Sequence, residues 1–454
     1  MVDTPRIVVA GTHSGVGKTT VATGLMAALA SKGCDVAPFK VGPDFIDPSY
    51  HALATGRPGR NLDVFLSGEE LVPSLFAHGA AGADVAVVEG VMGLFDGKGG
   101  GGELASTAQV AKLLDAPVVL VVDAGAMARS AAAIVHGYRS FDPELNVAGV
   151  VLNRVGSDRH EQMLREALAP LGVPVIGALR RGEELSTPDR HLGLVPAAER
   201  SAEALQTIRK MGEAVSRSCD LEALTRLARS AEPLSAEPWS PETAEKFPAR
   251  VAVAAGRAFS FIYRENMELL DGAGAKVVHF DPLRDESLPG GVDALYLGGG
   301  FPEAYAEELS ANEPLREEVA AFARSGRPVV AECGGMLYLS RGLNGDTMCG
   351  VLDAEARMSG RLSLGYREAT AAAESPLCEK GETLRGHEFH YSSIEPSAGR
   401  TGEGEAPAWR FDDGRSEGFV AGGVHASYLH THWAAYPQVA RRLVASAAWE
   451  GARA

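Results

Sequence analysis

Two α/β domains, each a parallel sheet wrapped by helices, are predicted by three observations. Apolar, β-branched runs alternate with helical stretches from Arg6 to Ala178, and a second series of the same kind starts at Arg250. Between them Ala231–Pro248 carries four prolines and many Glu and Ser residues with no apolar period, the composition of a linker. The predicted division is 1–200, a helical and linker segment 201–248, and 249–454.

The first series runs Arg6–Ala10, Asp35–Val41, Asp84–Glu89, Pro117–Asp123, Val147–Asn153 and Pro174–Ala178. Strand alternating with helix gives a doubly wound parallel sheet, whose ligands lie beyond the carboxyl ends of its strands. The second series is Arg250–Ala255, Lys276–Phe280, Asp293–Leu297 and Pro328–Ala331. After Gly350 short β-like runs follow at Leu384–Tyr391 and Gly418–Val424, then a helix over Pro437–Trp449.

The 454 residues carry 43 Lys and Arg against 59 Asp and Glu, a net charge of −16. An acidic surface repels phosphate backbones, so nucleic acid is not an expected partner. No apolar run approaches the ~18 residues of a membrane span, and Met1–Arg6 lacks a charged-then-apolar leader, so a cytoplasmic protein with no membrane partner is expected. The five cysteines are irregularly spaced, with no paired CxxC, which points to neither a disulfide framework nor a zinc site.

Strand Arg6–Ala10 enters Gly11-Thr12-His13-Ser14-Gly15-Val16-Gly17-Lys18-Thr19-Thr20 and a helical stretch to Lys32. Such glycines, here Gly15 and Gly17, let backbone N–H groups converge on phosphates; Lys18 reaches the β/γ-phosphates, and Thr19 can ligate Mg²⁺ beside Thr20. Thr12 stands at the usual first glycine, with Gly11 one residue earlier. Other strand ends bring Lys40, Asp44, Asp47, Glu89 and Asp96 to the same crevice. Carboxylates beside a triphosphate require a hard cation between them, which makes Asp44 and Glu89, with Thr19, the expected Mg²⁺ ligands. Asp47 and Asp96 are expected to orient substrate or a second metal. Asn153 offers an amide that can read adenine. Arg57 and Arg60 are candidates for substrate carboxylates, since guanidinium pairs with carboxylate in a fork.

Val329–Leu339 reads as a buried strand, a sharp turn at Cys333 and a helix, a cysteine nucleophile elbow whose helix N-terminus favours thiolate. His430 and His432 alternate in Ala426–His432; in an extended segment they share a face, one to deprotonate Cys333 and the other to orient it. The turn Leu297–Glu303 supplies Gly299 and Gly300, whose amides with that of Gly334 form a candidate oxyanion hole. His387 and His390 are placed either at an interface of the rear domain or in structural roles.

Taken in order, GTHSGVGKTT, FKVGPDFIDP, TGRPGRNLD, EGVMGLFDG, VLNRV, RHLGLVPA, LGGGFPE, AECGGMLYL, GHEFHYS and ASYLHTHW resemble the cobyrinic or hydrogenobyrinic acid a,c-diamide synthase family of cobalamin biosynthesis, over nearly the whole chain. The front half resembles dethiobiotin synthetase and the rear half the triad (class I) glutamine amidotransferases. The resemblance implies an ATP- and Mg²⁺-dependent ligase with a tetrapyrrole substrate and glutamine as nitrogen donor, and a homodimer paired across a sheet edge. It implies Cys333 as glutaminase nucleophile, His430 as its base, Lys18 and Lys40 on phosphates, and Asp44 with Glu89 at Mg²⁺. Where many triad amidotransferases have Glu two residues after the histidine, this chain has His432. A carboxylate must first become an acyl phosphate, and ammonia must then reach it before water does, so a closed route between the two sites is expected. Three other readings share parts of the pattern. They are a cobyric acid synthase-like enzyme acting on other corrinoid carboxylates, a partitioning-type ATPase switch, and a ligase with a degenerate glutaminase. The switch carries lysine where this chain has His13.

Overall fold

A computed structural model describes residues 1–182, 189–190, 193–194, 201–242, 245–400 and 404–451, and these divide into two compact units, 1–240 and 241–454. Most of the RHLGLVPA motif lies outside the described residues.

The first unit is built on seven parallel strands. Their spatial order is Arg60–Leu62, Val36–Val41, Val85–Glu89, Arg6–Gly11, Val118–Asp123, Val147–Val155 and Val175–Arg180. Arg6–Gly11, Val36–Val41 and Val85–Glu89 are buried throughout, which is why they read as continuous apolar runs rather than alternating ones. The strand order reverses around Arg6–Gly11, so the loop after it opens into the crevice where such sheets hold ligands. Helix Lys18–Ser31 begins directly after that loop.

The stretch 201–240 belongs to the first unit, where the sequence suggested a separate segment. Helix Ser201–Ser218 packs so closely on Lys18–Ser31 that a Cβ on Gly24 would lie 2.6 Å from Val215 Cγ2 and 2.8 Å from the Met211 carbonyl oxygen. Glycine at 24 therefore permits the helix contact.

The second unit contains two sheets. In the first, Ala275–Phe280, Ala249–Ala254, Ala294–Leu297, Val329–Glu332 and Val424–Ser427 run parallel, and Phe419–Ala421 and Glu405–Ala406 close the edge antiparallel. In the second, Glu355–Ala371 pairs antiparallel with Thr383–Glu395, to which His430–Thr431 adds. The core of the unit collects Leu295, Leu297, Val329, Ala331, Met336 and Tyr338 around the Cys333 turn. Among the described residues, no helix is long and apolar enough to cross a membrane.

Candidate active sites

In the first unit Gly15 and Gly17 both take positive φ, 77° and 99°, the left-handed region that only glycine enters without strain. The loop is fastened from behind. Asn153 Nδ2 donates to the Val16 carbonyl oxygen at 2.8 Å, and a Cβ on Gly17 would fall 2.2 Å from that same amide nitrogen. Asn153 is thus placed as a clasp on the phosphate loop, whereas the sequence suggested a reader of the base. Lys18 is buried with its ammonium donating to the His13 carbonyl oxygen, and burial together with nearby Lys40 holds its pKa down to about 8. Thr20 lies in the first turn of the helix that the loop feeds.

Thr19 Oγ1 donates to Glu89 Oε1 at 2.6 Å and lies 3.5 Å from Asp47 Oδ2. Lys40 Nζ sits 2.6 Å from Asp47 Oδ2 and 3.1 Å from Glu89 Oε1, and donates to the Gly90 carbonyl oxygen at 3.0 Å. The sequence expectation put Lys40 on phosphates; here it is a buried counterion. Burial alone would lower its pKa, but Asp47 and Glu89 outweigh that and hold it above the ordinary value. Burial would likewise raise Glu89, yet Lys40, His51 and Thr19 hold it well below the usual carboxylate range. Asp47 is held well above that range by burial and by Asp44 and Glu89.

Asp44 is placed differently from the expectation. Its Oδ1 accepts from the amides of Ile46 and Asp47, at 2.8 and 3.3 Å, so it caps the turn into helix Ile46–Thr55, and Asp47 takes the place beside Thr19. One residue escaped the sequence reading. His51, fully buried, puts Nε2 2.7 Å from Glu89 Oε2. It stands four residues after Asp47 on one helix, a spacing that turns both side chains to the same face.

Arg57 does not face the crevice with free donors, as a carboxylate reader would. Its guanidinium pairs with Asp35 at 3.0 Å and donates to the carbonyl oxygens of Gly79 and Ala81. Arg60 lies in the edge strand, its Cδ close against Gly79. Asp96 Oδ2 accepts from the Gly93 amide at 2.9 Å and so holds its own turn.

Three carboxylates, Asp44, Asp47 and Glu89, face a single lysine at Lys40, within 4.0 Å of its Nζ. The carboxylate oxygens and the Thr19 hydroxyl form a hard-oxygen donor set that suits Mg²⁺, which takes only one or two carboxylates and completes its shell with phosphate and water. Among the described residues no group of three or more His, Cys, Asp or Glu side chains is arranged to hold a metal ion by itself.

In the second unit Cys333 follows strand Val329–Glu332 with φ 47° and ψ −101°, a backbone region a non-glycine residue enters only under constraint. The constraint is visible: the Cys333 amide donates to the Ser427 carbonyl oxygen at 2.7 Å, and helix Gly334–Leu339 starts at once. The thiol is 4% exposed. Burial pushes its pKa up, and Glu303 adds to this; the hydrogen bond from the Gly334 amide opposes them without prevailing. The thiolate expected at the helix N-terminus is therefore not the resting form, because desolvation outweighs one turn of helix dipole.

His430 is buried on the strand that pairs with Thr383–Glu395, and burial, then His390, lowers its pKa to about 3. It is a neutral imidazole, able to take a proton. His387 pairs with it across the strands and stacks on it, ring centres 4.9 Å apart. His432 instead packs edge-on against Tyr263, with Nε2 3.4 Å from Glu265 Oε2. His390 stacks on Tyr428, ring centres 3.6 Å apart.

Cys333 and His430 are tied together through their neighbours. Glu332 Oε1, one residue before the thiol, accepts from Thr431 N at 3.1 Å and Thr431 Oγ1 at 2.7 Å, one residue after the imidazole. Glu332 Oε2 accepts from the Tyr296 hydroxyl at 3.0 Å, and Asn266 links the Thr431 carbonyl oxygen to the Trp433 amide. A second fixture is Gly299, where a Cβ would lie 2.3 Å from His430 Cε1.

That glycine is not an oxyanion donor, as the sequence suggested. Its amide already donates to the Phe261 carbonyl oxygen at 3.0 Å, so its role is room for the imidazole. Gly300 and Gly334 lie side by side: the Gly300 nitrogen is 3.0 Å from where a Cβ on Gly334 would stand.

The buried acids give a pH signature. Burial raises Glu332 and Glu417 to about 7 from 4.5, despite hydrogen bonds from Thr431 and Tyr296 to the first and from Ser427 and the Tyr428 amide to the second. Between pH 4.5 and 7 the unfolded chain has released these protons and the folded chain has not, so stability falls as pH rises. The expected slope is at most about 1.4 kcal/mol per pH unit for each group. Glu332→Gln, which keeps an oxygen toward Thr431, should flatten part of that slope when thermal unfolding is followed across this range. An unchanged slope would show Glu332 ionised in the folded chain.

Comparison with known proteins agrees with both halves. Residues 7–195 match the CobQ/CobB/MinD/ParA nucleotide binding domain and residues 250–438 the CobB/CobQ-like glutamine amidotransferase domain. The chain is 58% identical to a hydrogenobyrinate a,c-diamide synthase of Streptomyces coelicolor, over 97% of each chain. It is 52% identical to one of Mycobacterium tuberculosis, over 99% of each. It is 45% identical to a cobyrinate a,c-diamide synthase of Syntrophotalea carbinolica, over 97% of this chain and 98% of that one.

Proposed function

This chain belongs to the hydrogenobyrinate and cobyrinate a,c-diamide synthase family, and from that premise we propose that it amidates the a and c carboxylates of a corrinoid ring, with ATP and glutamine as co-substrates. The observation that carries the reading is the presence in one chain of a phosphate loop ringed by acids and a strained Cys333 tied to a neutral His430. A partitioning switch or a ligase without glutaminase has no use for the second. The higher identity to enzymes named for hydrogenobyrinate favours the cobalt-free ring.

In the first unit Lys18 and the loop amides hold the phosphates and offset charge on the phosphoryl group as it passes to a ring carboxylate. Thr19, Asp47 and Glu89 are the proposed Mg²⁺ holders, with Asp44 fixing the turn that carries Asp47. Bound Mg²⁺ supplies further charge compensation between the phosphates and these acids. Lys40 and His51 hold Glu89 and Asp47 in place. In the second unit His430 takes the Cys333 proton as sulfur attacks the glutamine amide and returns it to the leaving nitrogen, so that ammonia departs; Gly300 and Gly334 stabilise the oxyanion, and water, giving its proton to His430, frees glutamate from the thioester and restores the thiol. Ammonia then displaces phosphate from the activated ring acid.

The test is incubation with ATP, Mg²⁺, glutamine and each ring substrate, cobalt-free and cobalt-containing, followed by mass spectrometry. Two amides on the cobalt-free ring are expected. Four amides would point to the cobyric acid synthase-like reading, and none would defeat the proposal.

A further inference from the structure

A base that takes a proton from a thiol must be held in place, and His432 is engaged elsewhere, edge-on to Tyr263 with Nε2 3.4 Å from Glu265 Oε2. The His430 ring is confined by packing. His387 stacks on it at 4.9 Å, Phe261 lies at 6.4 Å, and the bare Cα of Gly299 faces its Cε1. Packing fixes the plane of the ring, whereas the point from which the ring hangs is set by the backbone of residues 430 and 431.

That backbone is gripped by one side chain. Glu332, 3% exposed, accepts at Oε1 from the Thr431 amide at 3.1 Å and the Thr431 hydroxyl at 2.7 Å, and at Oε2 from the Tyr296 hydroxyl at 3.0 Å. The direction of each bond is determined by its neighbours. Trp433 Nε1 can only donate, so Thr431 Oγ1 accepts from it at 2.9 Å and directs its own proton to Glu332. Asn266 Oδ1 accepts from the Trp433 amide, so Nδ2 donates to the Thr431 carbonyl oxygen at 2.9 Å and the Tyr296 hydroxyl at 3.2 Å. That hydroxyl keeps its proton for Glu332. Buried side chains from strands Ala294–Leu297, Val329–Glu332 and His430–Thr431, from helix Arg264–Gly272 and from Trp433 therefore form one closed network. No hydroxyl in it can turn without breaking a bond, and in a buried site such a network is stiff.

We infer that Glu332 is the positioning residue of the glutaminase pair: through Thr431 it fixes where the His430 imidazole stands relative to the Cys333 sulfur. It does by way of the backbone what a carboxylate bonded to the imidazole does in a triad. Residue 332 precedes the thiol and residue 431 follows the base, so one carboxylate couples the two segments, and a shift of Thr431 carries the imidazole with it. The inference rests on the reading of Cys333 and His430 as nucleophile and base, and it adds what holds them in register.

The full chain is assayed for glutamine hydrolysis and, separately, for ring amidation supported by ammonium salt, in the parent and in Thr431→Val, Thr431→Ser, Glu332→Gln and Tyr296→Phe. Thr431→Val keeps the amide and the shape and removes the hydroxyl. It should lower kcat for glutamine hydrolysis about 10–100-fold, the effect of a misplaced base, with KM for glutamine near the parent value. Thr431→Ser, which keeps the hydroxyl, and Glu332→Gln, which keeps an oxygen toward Thr431, should retain most of the parent kcat. Tyr296→Phe removes one hydrogen bond from the other oxygen of the same carboxylate, so it should lower the unfolding temperature about as much as Thr431→Val while lowering kcat far less. Amidation supported by ammonium should stay near the parent rate in all four. Equal falls in kcat for Thr431→Val and Tyr296→Phe would make the network a support of the fold alone and overturn the proposal, as would a parent kcat in Thr431→Val. A parent chain that amidates with ammonium yet hydrolyses no glutamine would defeat the glutaminase reading itself, and the positioning role with it.

Discussion

Replacing Cys333 by serine is expected to lower glutamine-supported amidation by about 10³-fold or more, while amidation supported by ammonium salt continues. His430 is held neutral with its pKa lowered to about 3, and burial raises the thiol, so the pair at rest is uncharged and proton transfer must accompany attack on the amide. A serine hydroxyl is a far weaker acid than a thiol, and the same imidazole cannot ionise it. The backbone at 333, with φ 47°, is held by the Ser427 carbonyl oxygen and the following helix, so a side chain of similar size keeps the turn. Ammonia supplied in solution replaces the product of this step. The comparison needs two nitrogen sources with one ring substrate and thermal unfolding to verify the fold. Equal loss with both, in a folded chain, would mean that Cys333 is not separable from activation of the carboxylate.

The parts of the fold that were legible in the sequence are those whose physics is local. Buried parallel strands such as Val85–Glu89 and Val118–Asp123 announce themselves as apolar runs, and the phosphate loop and thiol turn are contiguous. The edge strand Arg60–Leu62 escaped because three residues, one of them charged, carry no period. Strand Glu355–Ala371 escaped for another reason: much of its length is exposed and its register shifts between Met358 and Ser363, so no alternation survives. Residue roles failed where partners come from distant segments. Glycine at 299 is visible, but not that its amide is already committed to Phe261 or that its bare Cα makes room for His430. Asp44 and Asp47 are equally acidic in sequence, and only the turn geometry separates a cap from a neighbour of Thr19. Glu332 stands beside Cys333 in plain sight, yet its link to Thr431 exists only once two segments nearly a hundred residues apart are side by side.

Lys18→Met is expected to give the complementary result, a fall of about 10²–10³-fold or more in amidation with either nitrogen source and near-parent glutamine hydrolysis. Lys18 lies at the first turn after Gly17, with its ammonium on the carbonyl oxygen of His13, in the loop proposed to hold the phosphates. Methionine fills the buried stem without the charge, so the loop keeps its shape and only charge compensation is lost. Arginine is not expected to rescue it, because a planar guanidinium is too wide for a point-charge site that is 7% exposed. The pH profile gives a second, independent readout. Burial and Lys40 hold the Lys18 pKa at about 8 in the free enzyme, so kcat/KM for ATP should fall as pH rises through that value, where the ammonium discharges. In Lys18→Met that alkaline limb should vanish from the residual activity, while Cys333→Ser assayed with ammonium salt should retain it. A limb that survives in Lys18→Met would assign the titration to another group and leave Lys18 without its proposed charge role.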